Sequence, residues 1–163
     1  MRDVVIVDNV RTGLAKSFRG SFNLTRSDDM VAHVIDSLLD RNPKVSADEV
    51  EDVVLGMAMH EGEQTGNLAR LAVMLSKLPV TTAAASINRF CSSGVQAIAY
   101  AATQIASGQT EVAMAGGVES ISISTNGKSD GDTAIDYPTM GLAGVLPSMM
   151  ADQVHRAFVI GCS

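Results

Sequence analysis

Residues 81–108, TTAAASINRFCSSGVQAIAYAATQIASG, place a small, β-branched apolar run directly before a cysteine and a helix-forming stretch. The first seven residues suit a buried strand. From 92 to 107 the apolar residues Val95, Ile98, Ala99, Ala102 and Ile105 recur at helical intervals, and Gly108 stands where the helix should end. Cys91 therefore falls at a strand-to-helix turn. Unpaired N–H groups at a helix start carry partial positive charge and favour a thiolate over a thiol, so this setting is one that makes a nucleophile. A cysteine that merely fills a core does not need it, although burial as a small hydrophobe is the commoner fate of a lone cysteine.

The rest of the chain repeats the strand-then-helix order. Residues 4–7 form a compact β-branched run followed by a polar loop, 9–13. Over 28–39, Val31, Val34, Ile35, Leu38 and Leu39 make one helical face, closed by Asn42-Pro43. Ser46 and Glu49 have capping-box spacing ahead of a strand at 52–57. A second helix is expected over 66–76 with Leu68, Leu71, Ala72 and Leu75 inward, and a further strand over 111–115 runs into Gly116-Gly117. Strands apolar throughout and alternating with helices predict an α/β domain with a mainly parallel sheet covered by helices on both faces. The alanines at 97, 99, 101, 102 and 106 predict close packing of the Cys91 helix on more than one side. Ile121-Ser-Ile-Ser124 alternates like one more strand. Beyond it the pattern changes to Gly, Pro and Met without a clear period, which divides the chain into an α/β domain, 1–124, and a divergent tail, 125–163.

Composition narrows the function classes. The chain has 163 residues, a net charge of −6 and only 12 Lys plus Arg, without a basic block. Nucleic acid and anionic membranes are therefore not expected partners. The start, MRDVVIVDNVRTG, has charges on both sides of its short apolar run, unlike a secretory or spanning segment, so a cytoplasmic protein is expected. Two distant cysteines, Cys91 and Cys162, suit free thiols in a reducing compartment. No CxxC or HExxH element supports a metal site.

NRFCSSGVQAIA, from Asn88 to Ala99, resembles the signature of the thiolase family, and the resemblance is to that family's N-terminal half. It extends in order to VVIVDNVRTGLAKSFRG, to EGEQTGNLARLAVMLSKLP and to AGGVESIS. The serine after the cysteine and the EGEQ loop are more similar to degradative 3-ketoacyl-CoA thiolases than to biosynthetic acetoacetyl-CoA enzymes. The resemblance implies an acyl-CoA C-acyltransferase in which Cys91 takes the acyl group from a 3-ketoacyl-CoA and coenzyme A, a co-substrate with no bound cofactor, removes it. It implies a homo-oligomer. It also implies that Gln64, Asn67, Arg70, Asn88, Ser92, Gly94 and Glu119 support the cysteine loop, with Glu119 a buried strut, while solvated helix polars are the plainer reading of Gln64, Asn67 and Arg70. The Cys91 backbone N–H is the expected oxyanion donor.

The family's second half carries a histidine beside Gly and Pro and a second cysteine in a glycine-rich turn. No HP dipeptide and no CGG occur here, and the expectation is a truncated thiolase, or half of an enzyme that a separate C-terminal half completes. Cys162 lacks the glycine-rich context and reads as an inert thiol. His60 is a minor candidate for a base, and His33 and His155 read as ordinary residues. Met57, Met59 and Met74 read as core filler. Two rivals stay open: a noncatalytic acyl-CoA-binding or dimerisation module of the same fold, and a condensing enzyme of the ketoacyl synthase type.

Overall fold

The computed structural model describes residues 2–126 and 153–162, with side chains through residue 123. The elements run β1 (Val4–Val10), α1 (Ser27–Arg41), β2 (Asp52–Gly56), α2 (Leu68–Leu75), β3 (Ala83–Ile87), α3 (Ser93–Ser107), β4 (Val112–Glu119), α4 (Ile121–Asn126) and β5 (Gln153–Cys162). Single 3₁₀ turns at Ala47–Glu49 and Gly62–Gln64 precede β2 and α2. One sheet holds all five strands in the order β1-β5-β4-β2-β3. β2 pairs parallel with β3 and β4, whereas β5 pairs antiparallel with β4 and β1. The parallel character expected from the sequence thus resides in β4-β2-β3. The tail contributes β5, a strand with no clear period in the sequence.

The period of two in β2 sends Val53 and Leu55 to one face and Val54 to the other, and all three are buried. The first face packs on α1 and α2 through Val31, Val34, Ile35, Leu38, Leu68 and Val73. The second carries α3, whose Ala97, Ala101 and Ile105 lie on Val54, Ala113 and Ala115. Helices on both sides of strands apolar throughout give the α/β architecture that the sequence predicts.

α1 follows its single apolar face as read, and the Asn42 side chain closes it by donating to Leu38 O at 2.9 Å. The Glu49 carboxylate accepts from the Ser46 N–H at 2.6 Å, one arm of the capping box. α2 departs from expectation: Leu68, Ala69, Ala72 and Val73 are buried, while Leu71, Leu75 and Met74 are exposed. This helix is apolar almost all round, so periodicity alone does not choose its inward side. In α3, likewise, the stripe read from Val95 and Ala99 faces outward, and Val95 is 73% exposed. The side bearing Ala97, Ala101 and Ile105 goes onto the sheet, where the two alanines let helix and strand backbones approach closely. Ile121–Asn126 is helical, not a strand. Four alternating residues are too short a signal, and the chain turns out of β4 at Ser120, whose N–H is taken by Gln64 Oε1 at 2.7 Å. The tail from 127 to 152, and the side chains of His155 and Cys162 in β5, lie outside the described residues.

The start of α3 presses on the end of β2. A Cβ placed on Gly56 would lie 2.6 Å from Gly94 N and nearer still to the Ser93 carbonyl, and no side-chain rotation could relieve that contact. Gly56→Ala should therefore cost about 1–3 kcal/mol by overpacking. Gly13→Ala, where nothing lies within 4 Å, should change stability little. Urea unfolding midpoints of the two variants check this, and equal midpoints would refute the close approach.

Candidate active site

Three parallel strands end on the same side of the sheet, and the loops leaving them meet there. This is where an open α/β sheet places its chemistry. Asn88 to Ser93 form two overlapping turns. The Ser92 N–H donates to Arg89 O at 3.1 Å, and the Ser93 N–H donates to Phe90 O at 3.0 Å. Asn88 Oδ1 accepts from the Phe90 N–H at 2.8 Å. Cys91 stands at this corner, exposed and unbridged, one residue ahead of Ser92, which is the N-cap of α3. The Ser92 side chain makes no capping bond, and Gly94 lies in the first turn, in the close contact with Gly56.

The backbone of 57–59, just past β2, holds this corner. Asn88 Nδ2 donates to Ala58 O at 2.9 Å. Ser93 Oγ lies 3.2 Å from Met57 O and 2.6 Å from Phe90 O, and accepts from the Arg89 N–H at 2.8 Å. From the far side Glu119 accepts from the Ala58 and Met59 N–H groups at 2.8 and 3.3 Å. Gln64, fully buried, donates to Met59 O at 2.5 Å and to Glu119 Oε1 at 2.8 Å, while its own oxygen faces Ser27 Oγ and the Ser120 N–H. Both ends of that amide are thereby satisfied, which a buried glutamine requires.

Burial is the largest influence on Glu119 and pushes its carboxyl above the ordinary value of 4.5. The bonds from Gln64, Ala58 and Met59 and the charge of His60 act the other way. His60 itself rests a ring nitrogen 3.1 Å from Met57 O. Met57 and Met59 are buried, as core filler should be; Met74 is not.

Of the residues singled out in the sequence, Gln64, Asn88 and Glu119 converge on the 57–59 backbone. Asn67 and Arg70 act on the strand that leads into the cysteine turn. Asn67 caps α2, donates to Ala84 O at 2.9 Å and accepts from Ser86 Oγ at 3.0 Å. The Arg70 guanidinium donates to Thr82 O at 2.7 Å and Val80 O at 2.8 Å. Sequence reasoning missed Ser93, Ser27 and Gly56. The paired serines of CSSG hinted at Ser93, but only backbone proximity shows which serine is buried. Among the described residues no three His, Cys, Asp or Glu side chains gather as a metal site would need.

Residues 4–162 match the family of the thiolase N-terminal domain. The chain is 38% identical over 156 residues to a beta-ketoadipyl-CoA thiolase of Pseudomonas knackmussii, covering 92% of this chain and 39% of that protein. It is 41% identical over 119 residues to a 3-ketoacyl-CoA thiolase of Vibrio vulnificus, covering 73% of this chain and 31% of that one. The crystal structure of an acetyl-CoA acetyltransferase of Bacillus anthracis superposes with a TM-score of 0.70 at 36% identity, over 76% of this chain and 31% of that chain. The chain thus spans between about a third and two fifths of the length of these relatives. With the family match running from β1 through β5 and the fold shared, the chain belongs to the thiolase family, as its N-terminal domain.

Proposed function

We propose that this chain supplies the acyl-carrying half of a thiolase active site acting on 3-ketoacyl-CoA. The observation that carries the reading is an exposed, unbridged Cys91 at a rigidly bonded turn before α3. The Cys91 thiolate attacks the C3 ketone. The C2–C3 bond then breaks, the electron pair and a proton go to C2 to give acetyl-CoA, and the shortened acyl group remains on sulfur. The sulfur of coenzyme A next attacks that thioester and releases the Cys91 thiolate. A thiolate suits both halves because it is a soft nucleophile and a good leaving group. The names of the relatives in Pseudomonas and Vibrio, a beta-ketoadipyl-CoA thiolase and a 3-ketoacyl-CoA thiolase, support a 3-ketoacyl-CoA substrate.

The groups that move protons at C2 belong, in this reading, to a second half. Exposed apolar side chains on both faces of the sheet support it. Val95 and Tyr100 of α3 are exposed, and so are Leu71, Met74 and Leu75 of α2. The edge strand β3, Ala83–Ile87, has no charge or proline to discourage pairing, which supports a homo-oligomer built along that edge. Gln64, Asn88 and Glu119 act as positioning residues: they fix the 57–59 backbone, and through it the turn.

Incubation with acetyl-CoA should add one acetyl group, seen by intact mass and mapped to Cys91, and Cys91→Ala should abolish it. Multiple turnover should be absent without a separate C-terminal half, since proton-transfer groups contribute about 10²- to 10⁴-fold each. Acetylation elsewhere, or none, would refute the acyl-carrier role.

For Glu119, a carboxyl raised in the folded state binds its proton more tightly there than in the unfolded chain. Its ionisation costs stability at neutral pH, and that cost is recovered as pH falls through the raised folded value toward 4.5. Relative to Glu119→Gln, the wild type should gain stability between pH 7 and about pH 5. The variant also gives up charge-assisted acceptance from two backbone amides. Hydrogen exchange at 57–59 and 88–93 should therefore quicken by about tenfold or more, with α1 unchanged. Urea midpoints at the two pH values and exchange read by mass spectrometry check both parts; unaltered exchange at 88–93 would remove the positioning role.

A further inference from the structure

Phe90 departs from two ordinary preferences at once. Its φ is +49°, in the left-handed region that bulky side chains rarely adopt, and its ring is 61% exposed. Phe90 and Cys91 are the two central residues of the turn that the Ser92 N–H closes on Arg89 O, a position of positive φ that glycine or asparagine fills with less strain. The backbone cannot relax out of it. Asn88 Oδ1 holds the Phe90 N–H, and the Ser93 N–H and Oγ hold the Phe90 carbonyl at 3.0 and 2.6 Å. The strained backbone serves the turn, but nothing about the turn calls for an aromatic ring. Neighbouring α-carbons lie about 3.8 Å apart, so the Phe90 and Cys91 side chains leave the backbone of the turn next to each other.

We propose that Phe90 is a specificity-determining residue: its exposed ring is an apolar wall that receives the chain of an acyl group carried on Cys91 and favours chains longer than acetyl. The inference rests on the reading of Cys91 as acyl carrier. A hydrocarbon chain laid along the phenyl face removes apolar surface of both from water, and an acetyl group is too short to do so. The chain of the thioester covers the ring, and the strain is tolerated at the turn that carries the reacting sulfur.

The test needs neither coenzyme A nor a second half of the site. Iodoacetamide and N-octyl iodoacetamide react with a thiolate in the same way, forming the S–C bond and expelling iodide, and differ only in the chain that must be accommodated. Rates at Cys91 are measured on the native chain by peptide mapping and divided by those for a free thiol in solution. The wild type should favour the octyl reagent by about tenfold, in the range that one apolar contact provides. Phe90→Gly and Phe90→Asn, which suit the positive φ, should lose that preference while unfolding at a higher temperature than the wild type. Phe90→Leu should keep most of it. A parallel fall of both rates in the glycine and asparagine variants, with their ratio intact, would reduce Phe90 to a turn residue and overturn the proposal. So would a wild type without preference. Failure of acetyl-CoA to label Cys91 would count against the acyl-carrier reading alone, because these alkylation ratios remain measurable.

Discussion

The backbone of residues 57–59 is the constraint on which the Cys91 end of this domain depends. Its amides are held from one side by a buried carboxylate on β4, and its carbonyls hold Asn88 and Ser93 on the other. Met57 also donates to Ile87 O at 3.1 Å, which carries the β2–β3 pairing one residue past the strand. Three segments distant in sequence, ending β2, β3 and β4, are therefore locked to one another just where the sheet stops. An exposed corner such as the Cys91 turn needs such bracing, because it contributes little buried apolar surface of its own. The arrangement is costly, since a carboxylate and an amide are taken out of water, and it is tolerated because nearly every donor and acceptor in it finds a partner.

How legible this was in the sequence depended on how many faces each element had to satisfy. α1 has one apolar side and one charged side, so its period of 3.6 identified Val31, Val34, Ile35 and Leu38 as core without ambiguity. α2 and α3 are apolar on two sides, and there periodicity gave a helix but not its orientation. In α3 the side that packs on the sheet carries Ala97, Ala101 and Ile105, while Val95 and Ala99 face outward. The strand-cysteine-helix order could be read directly. The contacts of Gly56 with Ser93 could not, because they depend on backbone separation and have no signature in residue type or spacing. Ile121 to Ser124 misled for a different reason: alternation over four residues is equally compatible with one helical turn.

The two-sidedness of α3 explains why this domain reads as part of something larger. A helix that lays small residues on its own sheet and turns Val95, Ala99 and Tyr100 outward is suited to the middle of a layered structure rather than its surface. The same holds at the edge of the sheet, where β3 is uncharged. Polar residues are concentrated instead on α1 and the connecting loops. Exposed apolar side chains thus lie on both faces of the sheet, on α2 as well as on α3.

The position of β5 has a consequence for synthesis. This strand lies between β1 and β4, joining Val4 to Cys162 across nearly the whole chain. β1 is made before β5, so its strand partner is absent until residues 153–162 have been synthesised. The backbone edge of β1 thus stays unpaired in that interval, while the parallel unit of β2, β3 and β4 can assemble from segments already in hand. Pairings so distant in sequence form late. β1, made before every other element described, is thus among the last strands to be paired, and in that interval its open edge offers unpaired N–H and C=O groups to other chains.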